Sequence, residues 1–213
     1  MTLARVFSGV LPRSAIGHKF PLCFTSVAPE FLLANLSSFV LDYVARQKFA
    51  GTSMAYFVLK QLPILPPTTY NEPTRWLGNV APASWIRARV LELAYTAWDM
   101  EAFARDLGDG GAPFRWDQER RAVIRAELDA AFFHLYGLER DEVEHVMDSF
   151  AVLRDNEKSE LGEFCTRRLI LERYDAIAKA SQTTVSYQAI LNPPPGHGAR
   201  HPRRDALKGA ELG

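Results

Sequence analysis

The sequence predicts an α+β fold that is mainly α, with a small strand-helix-strand N-terminal part followed by a helical C-terminal region. Three observations carry this expectation. Residues 3–11 ("LARVFSGVL") and 20–28 ("FPLCFTSVA") are short runs rich in β-branched and aromatic residues around a polar stretch with Pro12 and Gly17, the pattern of two strands joined by a loop. From Pro29 onward, apolar residues recur at intervals of three and four, the stripe of an amphipathic helix. Pro66 and Pro67 then close the apolar run "SMAYFVLKQLPIL", and beyond them helical spacing takes over.

The elements follow in order. Leu32, Leu36, Phe39, Val40, Tyr43 and Val44 define a first helix ending near Arg46 to Lys48, and Gly51 breaks it. In the run after Gly51, Met54, Tyr56 and Val58 alternate with Ala55, Phe57 and Leu59. Both faces are apolar, as in a strand buried on both sides. Residues 71–83 read as a linker. Ser84 then caps a helix whose inner face is Ile86, Val90, Leu93, Ala97, Met100, Ala104 and Leu107, stopped by "GDGG". Asp117 caps the next, with Ile124, Leu128, Ala131 and Leu135 inward and Gly137 past its end. "RDEVEHVMDSF" makes a short helix and "GEFCTRRLILERYDAIAKA" a longer one burying Ile170, Tyr174 and Ile177. These readings divide the chain into 1–70, the strand-helix-strand part; 71–83, a linker; 84–191, a helical region; and 192–213, a tail too rich in Pro and Gly to fold.

Composition narrows the function classes. The chain has 213 residues, 47% hydrophobic and 23% charged, as in ordinary globular proteins. No apolar run approaches the roughly 18 residues of a membrane span, and Arg5 and Arg13 interrupt the N-terminus, which points to a cytoplasmic protein. Cys23 and Cys165 are too far apart for a Cys-x-x-Cys pair and are expected as reduced core thiols, without a disulfide or zinc. The net charge of zero conceals an asymmetry. Through Tyr70, six cations (Arg5, Arg13, Lys19, Arg46, Lys48, Lys60) stand against two acids (Glu30, Asp42), whereas residues 71–150 carry nine cations against fifteen acids. A polyanion would meet the front.

Patterns that carry enzyme chemistry are weak. None of the five histidines adjoins a serine or cysteine in a nucleophile-elbow pattern. His197 and His201 have helical ligand spacing, but "HGARHP" lies between glycines and a proline and lacks the intervening Glu. "NPPP", Asn192 to Pro195, has Pro where an adenine methylase motif needs an aromatic ring, so it reads as a linker. No catalytic and no metal residues are assigned. What remains is the basic front: Arg13, His18 and Lys19 between strands, Arg46, Gln47 and Lys48 closing a helix, then Thr52, Ser53 and Lys60, interleaved with Phe49 and Tyr56. These are phosphate-contacting and base-contacting residue types on short loops.

Taken together, "FLLANLSSFVLDYVARQKFAGTSMAYFVLKQLPILPP" resembles the closing segment of the target-recognition region in type IIG restriction-modification enzymes and related phage-defence DNA methylases. There, a helix with a Leu-x-Asn-x-x-x-Phe/Tyr pattern leads through a Gly-rich turn to a Leu-Pro-x-x-Pro-Pro exit. Leu33, Asn35, Phe39, Gly51, Thr52, Leu62, Pro63, Pro66 and Pro67 stand at matching positions. "ELAYTAWDMEAFARDLG" and the segments after it look like the helical C-terminal extension of the same methylases, so the resemblance covers about residues 5–192.

The resemblance implies a parent that is an S-adenosylmethionine (SAM)-dependent, adenine-specific DNA methyltransferase. Its Gly-rich SAM loop and Asn-Pro-Pro-aromatic motif are not in this sequence, so the chain is expected to be a C-terminal piece with no cofactor and no catalysis of its own. It implies double-stranded DNA as a partner, bound weakly by this piece. Arg13, His18, Lys19, Arg46, Gln47, Lys48, Thr52, Ser53 and Lys60 would contact it. The acidic helices suit a different class of function, a helical interaction module that docks on a separate catalytic methylase subunit.

Overall fold

A computed structural model describes residues 8–12, 17, 22–25, 28–48 and 56–202. These residues are mainly helical, and among them there are no strands, only isolated bridges between Thr74 and Val80 and between Phe114 and Arg200. The expected N-terminal strands are therefore corrected where they can be seen. Residues 8–12 and 22–25 have no regular structure, as befits strands with no third partner to complete a sheet.

The first helix is two helices, α1 (Pro29–Leu36) and α2 (Phe39–Lys48). Ser38 causes the break. Its hydroxyl donates 2.7 Å to the Asn35 carbonyl and accepts from Leu41 N–H at 3.4 Å, so a side chain competes with the helix ladder. Asp129, distant in sequence, accepts the Phe39 N–H at 2.8 Å and satisfies the start of α2.

The buried strand expected after Gly51 is also corrected. Tyr56–Leu59 forms one helical turn, α3, with Tyr56 and Phe57 exposed and only Val58 buried. A short run that is apolar all round is compatible with either period, and here the chain takes the helical one. Leu62 then joins Leu41 and Ala45 in a small cluster beneath α2, which tucks the exit segment against the helix.

Past Pro67 the chain forms two 3-10 turns, Pro67–Asn71 and Arg75–Leu77, and then α4 (Ala83–Ala94) and α5 (Glu101–Asp106). Residues 71–83 are not an open linker. Trp76 is buried, meets Trp85 edge-on at 5.0 Å, and accepts the Tyr187 N–H on its carbonyl at 2.7 Å. Pro82, not Ser84, stands at the start of α4, without a side-chain cap. The helix stops well short of the expected end because the Tyr95 carbonyl is taken by Phe114 N–H at 2.8 Å and the Tyr95 hydroxyl donates to the Gly111 carbonyl at 3.0 Å.

The body is built on α6 (Gln118–Leu135) and α9 (Cys165–Gln182), which pack against each other most extensively. Asp117 caps α6 by accepting the Arg120 N–H at 3.0 Å. At the other end Gly137 is left-handed (φ 72), and the bonds Gly137 N–H to His134 O and Leu138 N–H to Phe133 O complete a Schellman motif. Ile124, Ala131, Ile170, Tyr174 and Ile177 are buried as their spacing predicts. Between these helices lie α7 (Arg140–Asp148), opened by a Glu139/Glu142 capping box, and α8 (Ala151–Leu161). One core runs from Phe31 and Phe39 of the front through Tyr70 and Trp76 to Phe132, Met147 and Ile177.

Residues 192–202 do not behave as an unstructured tail. Arg115 N–H donates to Ala199 O and His201 N–H to Pro113 O, both at 2.8 Å. Arg120 donates to the Pro193 and Pro194 carbonyls at 2.7 and 3.0 Å. Proline removes donors but leaves carbonyls, and an arginine fork collects them. The cysteines are not core thiols either: Cys23 is exposed and Cys165 half-buried. No helix among the described residues is long and apolar enough to cross a membrane.

Candidate nucleic-acid interface

The front presents its expected contact residues unevenly. Arg13, His18, Lys19, Thr52 and Ser53 lie outside the described residues. Gln47 and Lys48 are exposed in the last turn of α2, where the negative end of the helix favours a cation, and Lys60 is exposed just past α3. Arg46 is different. Its guanidinium Nη2 lies 3.2 Å from Asp42 Oδ2 and its Cζ 4.3 Å from the centre of the Phe150 ring, so it is engaged within the protein, unlike Lys48 and Lys60.

The same packing accounts for the front's acids. Asp42 is buried under Arg46, and Glu30 is buried under Arg87, whose Nε and Nη2 donate to Glu30 Oε1 at 3.1 and 2.9 Å. Glu30 and Asp42 are the only acids in the first seventy residues. Neither presents its charge to solvent, whereas Lys48 and Lys60 have no ion-pair partner among the described residues.

Positions that carry the family resemblance hold the exit segment in place. Asn35 is fully buried. Its Oδ1 accepts the Leu65 N–H at 2.9 Å and its Nδ2 donates to the Tyr136 hydroxyl at 2.8 Å. That hydroxyl donates to the Pro63 carbonyl at 2.8 Å. Asn35 of the helix, Pro63 and Leu65 of the exit and Tyr136 at the end of α6 thus form one linked set. Burial pushes the Tyr136 hydroxyl above its ordinary pKa, against the pull of Asn35. The neighbouring Tyr70 hydroxyl is driven higher still, by burial and then by Tyr136, and has no hydrogen-bond partner among the described residues. Leu33 and Phe39 pack into the main core and Leu62 into the small cluster, while Gly51 and Thr52 lie outside the described residues.

The helical body pairs many of its arginines with its own acids. Arg140 pairs with Glu144 and Asp175, Arg167 with Glu144 and Asp148, Arg168 with Glu163 and Glu172, and Arg200 with Asp109. Two guanidiniums are buried deeply enough to be pressed down to a pKa of about 10: Arg89, despite its partner Glu127, and Arg121, helped down by Arg125. A cleft of about 340 Å³ lies between the 3-10 turns and the ends of α6 and α9, lined by Thr69, Glu72, Arg75, His134 and Ser181 among others. Its histidine is engaged. The His134 ring stacks on Tyr174 at 4.0 Å with Nε2 3.0 Å from the Tyr174 carbonyl, and burial lowers its pKa. None of the expected contact residues lines this cleft, and no group of His, Cys, Asp and Glu among the described residues could hold a metal ion.

Sequence reasoning missed Phe57, which it placed inside a strand. The signal was present: Phe57 and Lys60 are three residues apart, one face of a helical turn. Comparison with protein-family models, curated proteins and solved structures finds no match for this chain.

Proposed function

We propose that this chain is a DNA-recognition and scaffold part of a site-specific adenine-N6 DNA methyltransferase of a restriction-modification or phage-defence system, without the catalytic domain. The observation that carries the reading is the burial of both front acids beneath arginines, while Lys48 and Lys60 stand exposed, with Gln47 beside Lys48. The first seventy residues therefore put no acid of their own on the surface, which suits a phosphate backbone. The Asn35 set supports the same reading, because it joins the residues that resemble the recognition exit to the helical body that would serve as scaffold. In this reading S-adenosylmethionine and the methyl transfer it supplies would belong to the catalytic domain of the parent enzyme.

Binding to duplex DNA is expected to be weak and salt-dependent. With ~2 phosphates neutralised, affinity falls about tenfold between about 50 and 200 mM salt. Fluorescence anisotropy of a labelled duplex titrated with the chain measures this, and an isotherm that stays flat at low salt would remove the DNA reading.

A second reading, docking on a separate catalytic methylase subunit, draws on α8. That helix buries no residue and exposes Val152 and Leu161, by 50% and 61%. Capture of the catalytic subunit by this chain should then weaken when Val152→Asp and Leu161→Asp are introduced together. Undiminished capture would discard α8 as the docking face.

A further inference from the structure

The front also carries exposed aromatic surface that phosphate binding does not use. On α3 the Phe57 ring is 68% exposed and Tyr56 54% exposed, and Lys60 follows in the same turn, its N–H donating to the Tyr56 carbonyl at 3.0 Å. The two rings are not equivalent. The Tyr56 hydroxyl accepts the Leu22 N–H at 3.2 Å, which ties it to a neighbouring segment. Among the described residues Phe57 has no such tie through its ring. Its backbone is nevertheless held, because the Gln61 side chain donates to the Phe57 carbonyl at 3.1 Å and closes the turn. The result is a flat apolar ring on a turn closed by a side-chain hydrogen bond, three residues before an exposed lysine, in a stretch of chain whose own acids, Glu30 and Asp42, are buried.

We infer that Phe57 is a stacking platform for an unpaired base of DNA, with Lys60 on the adjoining phosphate. The inference rests on the DNA reading above and extends it to the state of the nucleotide that is bound. An apolar protein partner would bury Lys60 at a cost, whereas a nucleotide offers a π-face and an anion within one unit, matching ring and cation together. Stacking on an aromatic side chain is sequence-tolerant and needs an unstacked base, so the platform would distinguish an extrahelical nucleotide from a paired one without reading its identity.

The test uses the full chain and two labelled duplexes, one fully paired and one carrying a single bulged 2-aminopurine. The chain is expected to bind the bulged duplex about tenfold more tightly and to quench the 2-aminopurine fluorescence, as one stacked base would give. Phe57→Ala should abolish both the preference and the quenching while keeping the affinity for paired duplex, and Phe57→Trp should restore both. Because Phe57 is exposed, neither change disturbs the core, and an unchanged circular dichroism spectrum checks this. Equal affinity for the two duplexes, or a preference that survives Phe57→Ala, overturns the inference while leaving paired-duplex binding intact. Absence of binding to either duplex overturns the DNA reading first, and the platform with it.

Discussion

Replacing Glu127 by alanine is expected to destabilise the protein by about 4 kcal/mol, the typical cost of removing one partner from a buried ion pair. Glu127 is fully buried on α6. Its Oε2 receives Arg89 Nε at 2.9 Å and Nη2 at 2.8 Å, and its Oε1 receives the Tyr187 hydroxyl at 2.8 Å. The same guanidinium lies 3.3 Å from the centre of the Trp85 ring and donates to the Trp85 carbonyl at 3.0 Å. Without the carboxylate, Arg89 remains as a buried cation and Tyr187 as a buried unpaired hydroxyl, and both desolvation penalties come due. Since small domains hold only about 5–15 kcal/mol in total, a large share of the stability margin is at stake. Glu127→Gln keeps an acceptor for Tyr187 but not the charge, and should fall between the wild type and Glu127→Ala. Urea unfolding followed by circular dichroism measures the series. A loss below about 1 kcal/mol for Glu127→Ala would mean that the pair is not buried as described.

The second large effect is expected at Asn35. Asn35→Ala removes the acceptor for the Leu65 N–H and the donor to Tyr136, at a cost of about 2–3 kcal/mol for buried groups left without partners. Stability alone would not show where the damage lies. Amide hydrogen exchange would, because the Leu65 N–H should lose its protection while amides in the middle of α6 and α9 change only with global stability. If Leu65 stays protected in the variant, the exit segment is held by something other than Asn35, and the link between the recognition-like front and the helical body loses its basis.

These two sites differ in how far the sequence disclosed them. Asn35 was visible as one position of a family-like pattern, though its role as a tie between α1, the exit and α6 depends on Tyr136, a hundred residues away. The Arg89–Glu127–Tyr187 network had no signature at all, since three residues from three segments meet only after folding. The same division runs through the fold. Elements with local signals were legible: α6 from its Asp117 cap and Gly137 stop, α9 from the spacing of Ile170, Tyr174 and Ile177. Elements decided by distant partners were not. The start of α2 is satisfied by Asp129, the early end of α4 needs Phe114, and the docking of residues 192–202 needs Arg120 and Asp109. The α8 helix escaped for the opposite reason, because a helix that buries nothing leaves no apolar stripe to read.

At the candidate interface, counting charge found the basic front but could not tell Arg46 from Lys48. The two cations are two residues apart, and only packing shows that one is spent on Asp42 and Phe150 while the other faces outward. The central claim, that DNA meets this front while the helical body serves as scaffold, is tested most directly by neutralising lysines in each part. Lys48 and Lys60 are changed to glutamine in one variant, Lys158 and Lys179 on α8 and α9 in another, and both are titrated with paired duplex at low salt. All four lysines are exposed, so each pair of substitutions removes the same charge from the surface. The front pair is expected to lower affinity about tenfold and to flatten the salt dependence by ~2 phosphate contacts, with the α8/α9 pair near wild type. Equal losses from both pairs, or a larger loss from Lys158 and Lys179, would contradict the claim.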